Sequence, residues 1–88
     1  MYEHEHHEHE EKFKMLTERY EEEVEDAHEY YELSEKYPEC APLFYKIGSE
    51  EVTHAYHLRE KLLERGHVFS AEHEAKWHKV LREYGWGK

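Results

Sequence analysis

The feature that most constrains the fold is a long segment without helix breakers, residues 11–36. It holds neither glycine nor proline, and its apolar residues recur at steps of three and four. That spacing predicts one amphipathic α-helix over 11–36, with glutamate and lysine on its other sides. The apolar stripe of this helix consists of Phe13, Leu16, Tyr20, Val24, Ala27 and Tyr31. A stripe of this length must be buried against another element.

The connection "KYPECAP" ends the first helix and starts a second one. Pro38 disfavours helical geometry at the residue before it, and either Pro38 or Pro42 fits the first turn of a new helix. We predict that the second helix extends to about Arg65, because Gly66 is a suitable residue just past a helix end. Gly48 lies inside this helix at a cost of roughly 1 kcal/mol relative to alanine, so we expect it to permit a close helix contact.

A short third helix is predicted after the turn "HVFS", with Ser70 as its N-cap. Its apolar side carries Trp77, Val80, Leu81 and Tyr84. Two long helices joined by a short connection form an antiparallel hairpin, and a hairpin cannot bury amphipathic stripes on both of its sides. The third helix is too short to complete a bundle. We therefore predict an all-α, ferritin-like four-helix bundle that a second copy of the chain completes, as a symmetric homodimer.

Composition narrows the classes of function. The 88 residues suffice for one small domain, which we place at 11–88, after a disordered segment rich in histidine and glutamate at 1–10. A net charge of −10 excludes nucleic acid and anionic membranes as favoured partners and attracts cations. One cysteine, no apolar run that could span a bilayer and a polar N-terminus favour a cytoplasmic location.

Glu51 and His54 lie on what the sequence presents as the apolar stripe of the second helix. The stripe consists of Leu43, Ile47, Glu51, His54, Leu58 and Leu62. A glutamate inside such a stripe is costly unless something pairs with it. Since residues three apart share a helical face, the two side chains can bind one metal ion, and mixed oxygen and nitrogen ligands suit iron or manganese. The alternative is a metal-free polar pair that fixes the register of a dimer.

The spacing Glu-x-x-His is weak evidence by itself. With 21 glutamates and ten histidines, chance predicts about two matches, and the chain has four. The other three are Glu3/His6, Glu25/His28 and Glu64/His67. They fall in the N-terminal segment, on the polar side of the first helix and across the end of the second helix. Position on the apolar stripe therefore selects Glu51 and His54.

The segment "YPECAPLFYKIGSEEVTHA", residues 37–55, resembles the second-helix segment of rubrerythrins. The arrangement of two helices and a short third one is similar to that of encapsulated ferritins, and the resemblance covers about residues 18–66. Those families imply a di-iron carboxylate site, which encapsulated ferritins build across a dimer interface. They also imply rings of dimers and an encapsulin shell as a candidate partner or compartment.

The resemblance further implies one glutamate ligand from the first helix. Encapsulated ferritins place it about thirty residues before the glutamate of Glu-x-x-His, which selects Glu21. Geometry alone leaves Glu23 open, because both glutamates flank the stripe at about 100° per residue and Glu23 is nearer its centre. His28 is an additional candidate ligand, at a position where the family often has tyrosine.

Iron oxidation is the activity that the resemblance implies. Two Fe(II) would bind per dimer at Glu21, Glu51 and His54, dioxygen or peroxide would accept the electrons, and Fe(III) would be stored. Two alternatives stay open: a peroxide-reducing protein similar to rubrerythrin, and a cytoplasmic metal buffer using the N-terminal histidines His4, His6, His7 and His9. A metal-free helical interaction module is a third.

Overall fold

Three α-helices make up the computed structural model, which describes residues 2–86 and the side chains of 10–86. They are α1 (Tyr2–Lys36), α2 (Ala41–Glu64) and α3 (Ala71–Glu83), with a 3-10 turn at Pro38–Cys40 between α1 and α2. The described residues contain no strand, so the predicted all-α class is confirmed. Within the same residues, none of the helices combines the length and apolar character that a bilayer-spanning segment requires.

The N-terminal segment differs from the sequence prediction. We expected disorder over 1–10 and a helix from residue 11, whereas α1 begins at Tyr2. Glutamate is a good helix former, and no glycine or proline interrupts the segment. Once the stretch from Phe13 onward is packed, further turns add hydrogen bonds without a new nucleation cost.

α1 and α2 form the predicted antiparallel hairpin. The ring of Phe13, early in α1, lies 5.3 Å from that of His67, just after α2, while Tyr30 stacks on Phe44 at 6.3 Å near the connection. The predicted stripe of α1 is confirmed: Tyr20, Val24 and Ala27 are buried, and Phe13, Leu16 and Tyr31 pack against them. The hairpin core is thus built along the stripe that the sequence defines.

α2 ends as its glycine predicts. Gly66 has φ +83°, a conformation that only glycine adopts without strain. Its N–H donates to the carbonyl oxygen of Leu63 at 3.0 Å, and the N–H of His67 donates to that of Leu62 at 3.1 Å. These two bonds form a Schellman motif, which satisfies carbonyls at the helix end and reverses the chain toward α3.

α3 covers one side of the hairpin. Ser70 is its N-cap as predicted, since the N–H of His73 donates to the Ser70 hydroxyl at 3.1 Å. Trp77, Val80 and Tyr84 are buried against α1 and α2. α3 runs in the same direction as α1, because Tyr20 lies near Trp77 and Tyr31 lies near Tyr84.

Gly48 permits the close contact expected of it, and the contact is with a side chain of α3. The Tyr84 hydroxyl donates to the carbonyl oxygen of Ala27 at 2.6 Å. A Cβ atom at position 48 would overlap that hydroxyl and would press on Tyr30. The missing side chain therefore lets Tyr84 reach across α2 to the backbone of α1.

The buried side of α2 is not the stripe that the sequence suggested, and this is a correction. The buried residues of α2 are Gly48, Val52, Ala55 and Leu62. At 100° per residue their mean direction is roughly 80° away from that of the predicted stripe. Glu51 is consequently half-buried at the border of the core, and His54 and Leu43 are exposed.

The side of the hairpin away from α3 is called the open face below. Its residues are Arg19, Glu23 and Asp26 on α1, and Leu43, Ile47, Glu51, His54 and Leu58 on α2. Ile47 and Leu58 are half-buried, and the Leu43 side chain is 57% exposed. The open face thus combines apolar side chains with the two residues that the sequence selected.

Candidate metal centre

Glu51 and His54 lie one turn apart on α2, as the sequence predicted. The Nδ1 atom of His54 is 3.3 Å from Oε1 of Glu51. The Glu51 side chain is 20% exposed and that of His54 is 59% exposed. The pair therefore stands at the border between the hairpin core and solvent, where an ion can reach it.

α1 contributes Glu23 to the same place. Its Oε2 atom lies 3.7 Å from Nδ1 of His54, and its side chain is only 10% exposed. One donor atom each from Glu23, Glu51 and His54 fall within 4.8 Å of one another. Two carboxylates and an imidazole from two helices thus converge, and we call them the Glu23–Glu51–His54 group.

One oxygen of Glu23 is buried without a hydrogen-bond donor among the described residues, and its contact with His54 at 3.7 Å is longer than a hydrogen bond. Oε2 accepts no hydrogen bond from any residue in the described part of the chain. The other oxygen, Oε1, lies 3.5 Å from the guanidinium of Arg19. Leaving a buried carboxylate oxygen unsatisfied is costly, so a cation at Oε2 would be favoured.

The charged form of the Glu51 carboxylate is also unfavourable in this place, beside Glu23. Burial, then a side-chain hydrogen bond with Glu23 and its negative charge, raises the pKa of Glu51 from 4.5 to about 7. His54 opposes this shift, and Asp26 adds to it. Near pH 7, therefore, Glu51 is protonated in about half of the folded chains.

The donor atoms fit one first-row metal ion. Ligand atoms about 2.1 Å from an ion lie about 3.0 Å apart at a right angle and at most about 4.2 Å apart. The separations of 3.3 Å and 3.7 Å measured from His54 fall inside that range. Two carboxylates with one imidazole suit iron or manganese, whereas a thiolate-seeking ion would lack its preferred ligand.

The family spacing implied Glu21 as the ligand from the first helix, but Glu21 lies away from Glu51 and His54. Glu23 is the glutamate of α1 that lies beside them. The Glu21 carboxylate is 3.6 Å from Nε2 of His73, on the α3 side of α1. The reason is helical rotation: two residues turn the helix by about 200°, so Glu21 and Glu23 lie on opposite flanks of the Tyr20 stripe. The structure therefore agrees with Glu23, the alternative from helical geometry, and not with Glu21, the residue that the family spacing selected.

His28, the additional candidate ligand, is also directed toward α3. Its Nδ1 atom is 2.7 Å from Oε2 of Glu83, and its Nε2 atom is 3.6 Å from Glu32. Glu25, its partner in a second Glu-x-x-His match, lines the groove between α1 and α3 together with His28. His28 therefore helps to hold α3 and is separated from the Glu23–Glu51–His54 group by the width of α1.

Sequence reasoning missed two charged neighbours of the group, Arg19 and Asp26. Arg19 is one turn before Glu23, at the spacing of a helical ion pair, and that signal was available. Asp26 is the single aspartate of the chain, is half-buried and follows Glu23 by three residues. The N-terminal histidines at 4, 6, 7 and 9 lie outside the residues whose side chains are described.

Comparisons with protein-family models, with curated proteins and with solved structures give no match. The resemblance to rubrerythrins and encapsulated ferritins thus rests on the residues quoted above. The chain itself defines a helical hairpin whose open face carries two carboxylates and an imidazole.

Proposed function

We propose that this chain is a ferritin-like iron-oxidising and iron-sequestering protein whose di-iron carboxylate site forms between two copies of the chain. The observation that carries the proposal is the Glu23–Glu51–His54 group, in which the buried Oε2 of Glu23 accepts no hydrogen bond from the described residues and lies 3.7 Å from Nδ1 of His54. Iron is the substrate, and the three side chains are its ligands. Glu23 replaces Glu21 in this proposal because of its place beside His54.

The open face supports a second copy as the partner. Leu43, Ile47 and Leu58 lie on the side of α2 that carries Glu51 and His54, and α3 packs on the opposite side of the hairpin. Covering these side chains would remove apolar surface from water and complete a four-helix arrangement. With two-fold symmetry, two Glu23–Glu51–His54 groups would provide four carboxylates and two imidazoles for two metal ions.

Each residue has a defined task in the proposed chemistry. The carboxylates of Glu23 and Glu51 supply the negative charge that holds Fe(II) and can bridge two ions, and His54 binds through a neutral ring nitrogen. Each Fe(II) gives up one electron to dioxygen or peroxide. The proton that Glu51 holds near neutral pH leaves when a cation binds. The chain's net charge of −10 raises the local concentration of Fe(II).

An anaerobic Fe(II) titration of the full chain tests the proposal, followed by exposure to air and absorbance of the ferric product. We expect one iron per chain and rapid oxidation, with the same iron missing in Glu51→Gln and His54→Gln. Two matched controls are exposed residues of the same helix, Glu50→Gln and His57→Gln, which should keep the iron.

Comparison with these variants separates the site from the N-terminal histidines. Iron that remains bound in Glu51→Gln and His54→Gln to the same stoichiometry would contradict the proposal and favour the metal-buffer alternative. A chain that binds no iron at all would favour the metal-free interaction module. The oxidant, the cytoplasmic location and the encapsulin shell stay predictions from the sequence.

A further inference from the structure

A permanent positive charge stands beside the proposed ligands. The Nη2 atom of Arg19 is 3.5 Å from Oε1 of Glu23, and its Nη1 atom is 3.6 Å from Glu22. The Arg19 side chain is 56% exposed, so the guanidinium lies at the solvent rim of the group rather than inside it. Arginine stays charged at every physiological pH.

We propose that Arg19 lowers the preference of the Glu23–Glu51–His54 group for trivalent over divalent cations. The inference rests on the proposed function, since it assumes that this group binds a metal ion. It adds a specificity-determining residue that touches a ligand and lies one turn from it on α1. Arg19 binds one oxygen of Glu23 and leaves the buried Oε2 for the cation.

The physical basis is the charge of the ion. Repulsion between the guanidinium and a bound cation is proportional to the cation's charge. At the same position, the repulsion energy is therefore larger by half for a trivalent ion than for a divalent one. Arg19 also neutralises part of the negative charge of Glu23, and that negative charge attracts a trivalent ion more strongly than a divalent one. Both effects weaken retention of the oxidised ion relative to the reduced one.

Selection of this kind would favour turnover. A site with only carboxylates around it holds a trivalent ion more strongly than a divalent one, because the attraction also grows with charge. A neighbouring cation reduces that difference. Arg19 would therefore help Fe(III) to leave the ligands for storage while Fe(II) still binds.

The test measures the affinities of wild type and Arg19→Gln for Mn²⁺ and for Tb³⁺, by titration at low salt and constant pH. We expect both affinities to rise in the variant, and that for Tb³⁺ to rise about threefold more. This is the factor for one extra unit charge at about 6 Å in an aqueous dielectric. Arg19→Lys keeps the charge and should retain the wild-type ratio. Lys14→Gln removes an exposed charge paired with Glu18 and should also leave the ratio unchanged.

The ratio of the two affinities separates this role from a structural one. If Arg19 only positioned Glu23, Arg19→Gln would weaken both ions by the same factor, and an unchanged ratio would overturn the inference. The excess for Tb³⁺ should also shrink at high salt, where exposed charges are screened. If the wild type binds Mn²⁺ and the ratio of Tb³⁺ to Mn²⁺ affinity is the same in Arg19→Gln, the role of Arg19 is refuted and the proposed metal site is not. Failure to bind either ion refutes the proposed function as well.

Discussion

At the scale of single residues, Glu51 destabilises the metal-free chain and is also a ligand in the proposed metal site. Its carboxylate is largely buried beside that of Glu23, and burial and the charge of Glu23 raise its pKa although His54 lies 3.3 Å away. Two like charges in a partly desolvated place are unfavourable, whereas a bound ion makes the same pair favourable. The residue thus lowers the stability of the metal-free chain, and under the proposed function a bound ion would offset that cost.

We predict that Glu51→Gln stabilises the metal-free protein at pH 8. The pKa of Glu51 is raised from 4.5 to about 7 in the folded chain, so the folded state holds the proton more tightly than the unfolded state. The unfolding free energy therefore falls as pH rises from 4.5 to about 7, by up to about 3 kcal/mol. Glutamine mimics the protonated form and escapes this loss.

Thermal unfolding with a chelator present, at pH 4 and at pH 8, checks this expectation. Glu51→Gln and wild type should have similar Tm values at pH 4, and the variant should be several degrees higher at pH 8. Glu50→Gln, one residue away and exposed, should match the wild type at both pH values. A lower Tm for Glu51→Gln at pH 8 would contradict the strain assigned to this carboxylate.

At the scale of elements, Arg59 attaches α3 to the hairpin. Its guanidinium donates to Glu74 of α3 at 2.9 Å and to the Tyr20 hydroxyl of α1 at 3.1 Å. It also lies over the ring of Phe69 at 4.5 Å and that of Trp77 at 5.5 Å. Arg59 holds the pKa of the Glu74 carboxyl below its ordinary value. One side chain of α2 therefore connects all three helices on the side away from the metal ligands.

Arg59→Ala should loosen α3 and leave metal binding intact. The variant loses its contacts with both rings and leaves Glu74 without its partner, which we expect to cost about 2 kcal/mol. Hydrogen exchange should accelerate in α3 more than in α1 and α2, while Mn²⁺ affinity stays within about twofold. Arg65→Ala, on an exposed arginine after α2, is the matched control. Loss of Mn²⁺ binding in Arg59→Ala would show that the open face depends on α3.

The elements were predictable from local signals, and the rotation of α2 was not. Gly66 and Ser70 indicate the end of α2 and the start of α3 in the sequence, because both act on the local backbone at a helix end and need no tertiary contact. The direction of α2 depends on its neighbours. Gly48 and Ala55 are buried because they let other groups approach closely, whereas the sequence pattern gave weight to large apolar side chains.

The same limit decided which glutamate joins the site. Glu51 and His54 were selected from their position on the apolar stripe predicted for α2, because the spacing alone has four matches in the chain. The ligand from α1 depends on how the two helices face each other, which periodicity alone does not determine. Glu23 was left open by geometry, and the family spacing favoured Glu21 instead. Arg19 could have been noticed from its i, i+4 spacing to Glu23, but only once Glu23 was known to matter.

At the scale of the whole molecule, the chain is a hairpin with one covered side and one open side. A second copy on the open face would bring two strongly acidic chains together, each with a net charge of −10. Their repulsion opposes association at low salt and falls when salt screens it. Metal ions between the chains would oppose the same repulsion directly.

Leu43→Glu should weaken the proposed dimer. Leu43 is 57% exposed on the open face, and a carboxylate there would add repulsion to a surface that is buried on association. Molar mass by light scattering should fall from twice the chain's 10.9 kDa toward the mass of a single chain. Val68→Glu changes a still more exposed residue in the turn before α3 and should leave the mass unaltered. A wild-type chain that stays monomeric with Mn²⁺ and salt would contradict the dimer.

The proton that Glu51 holds in the folded chain ties the proposed metal binding to the acidity of the surroundings. A cation entering the group must displace that proton, so binding is an exchange of one positive species for another. In the metal-free chain Glu51 takes up its proton as the pH falls through about 7, so the proposed metal binding should weaken over the same range and strengthen above it.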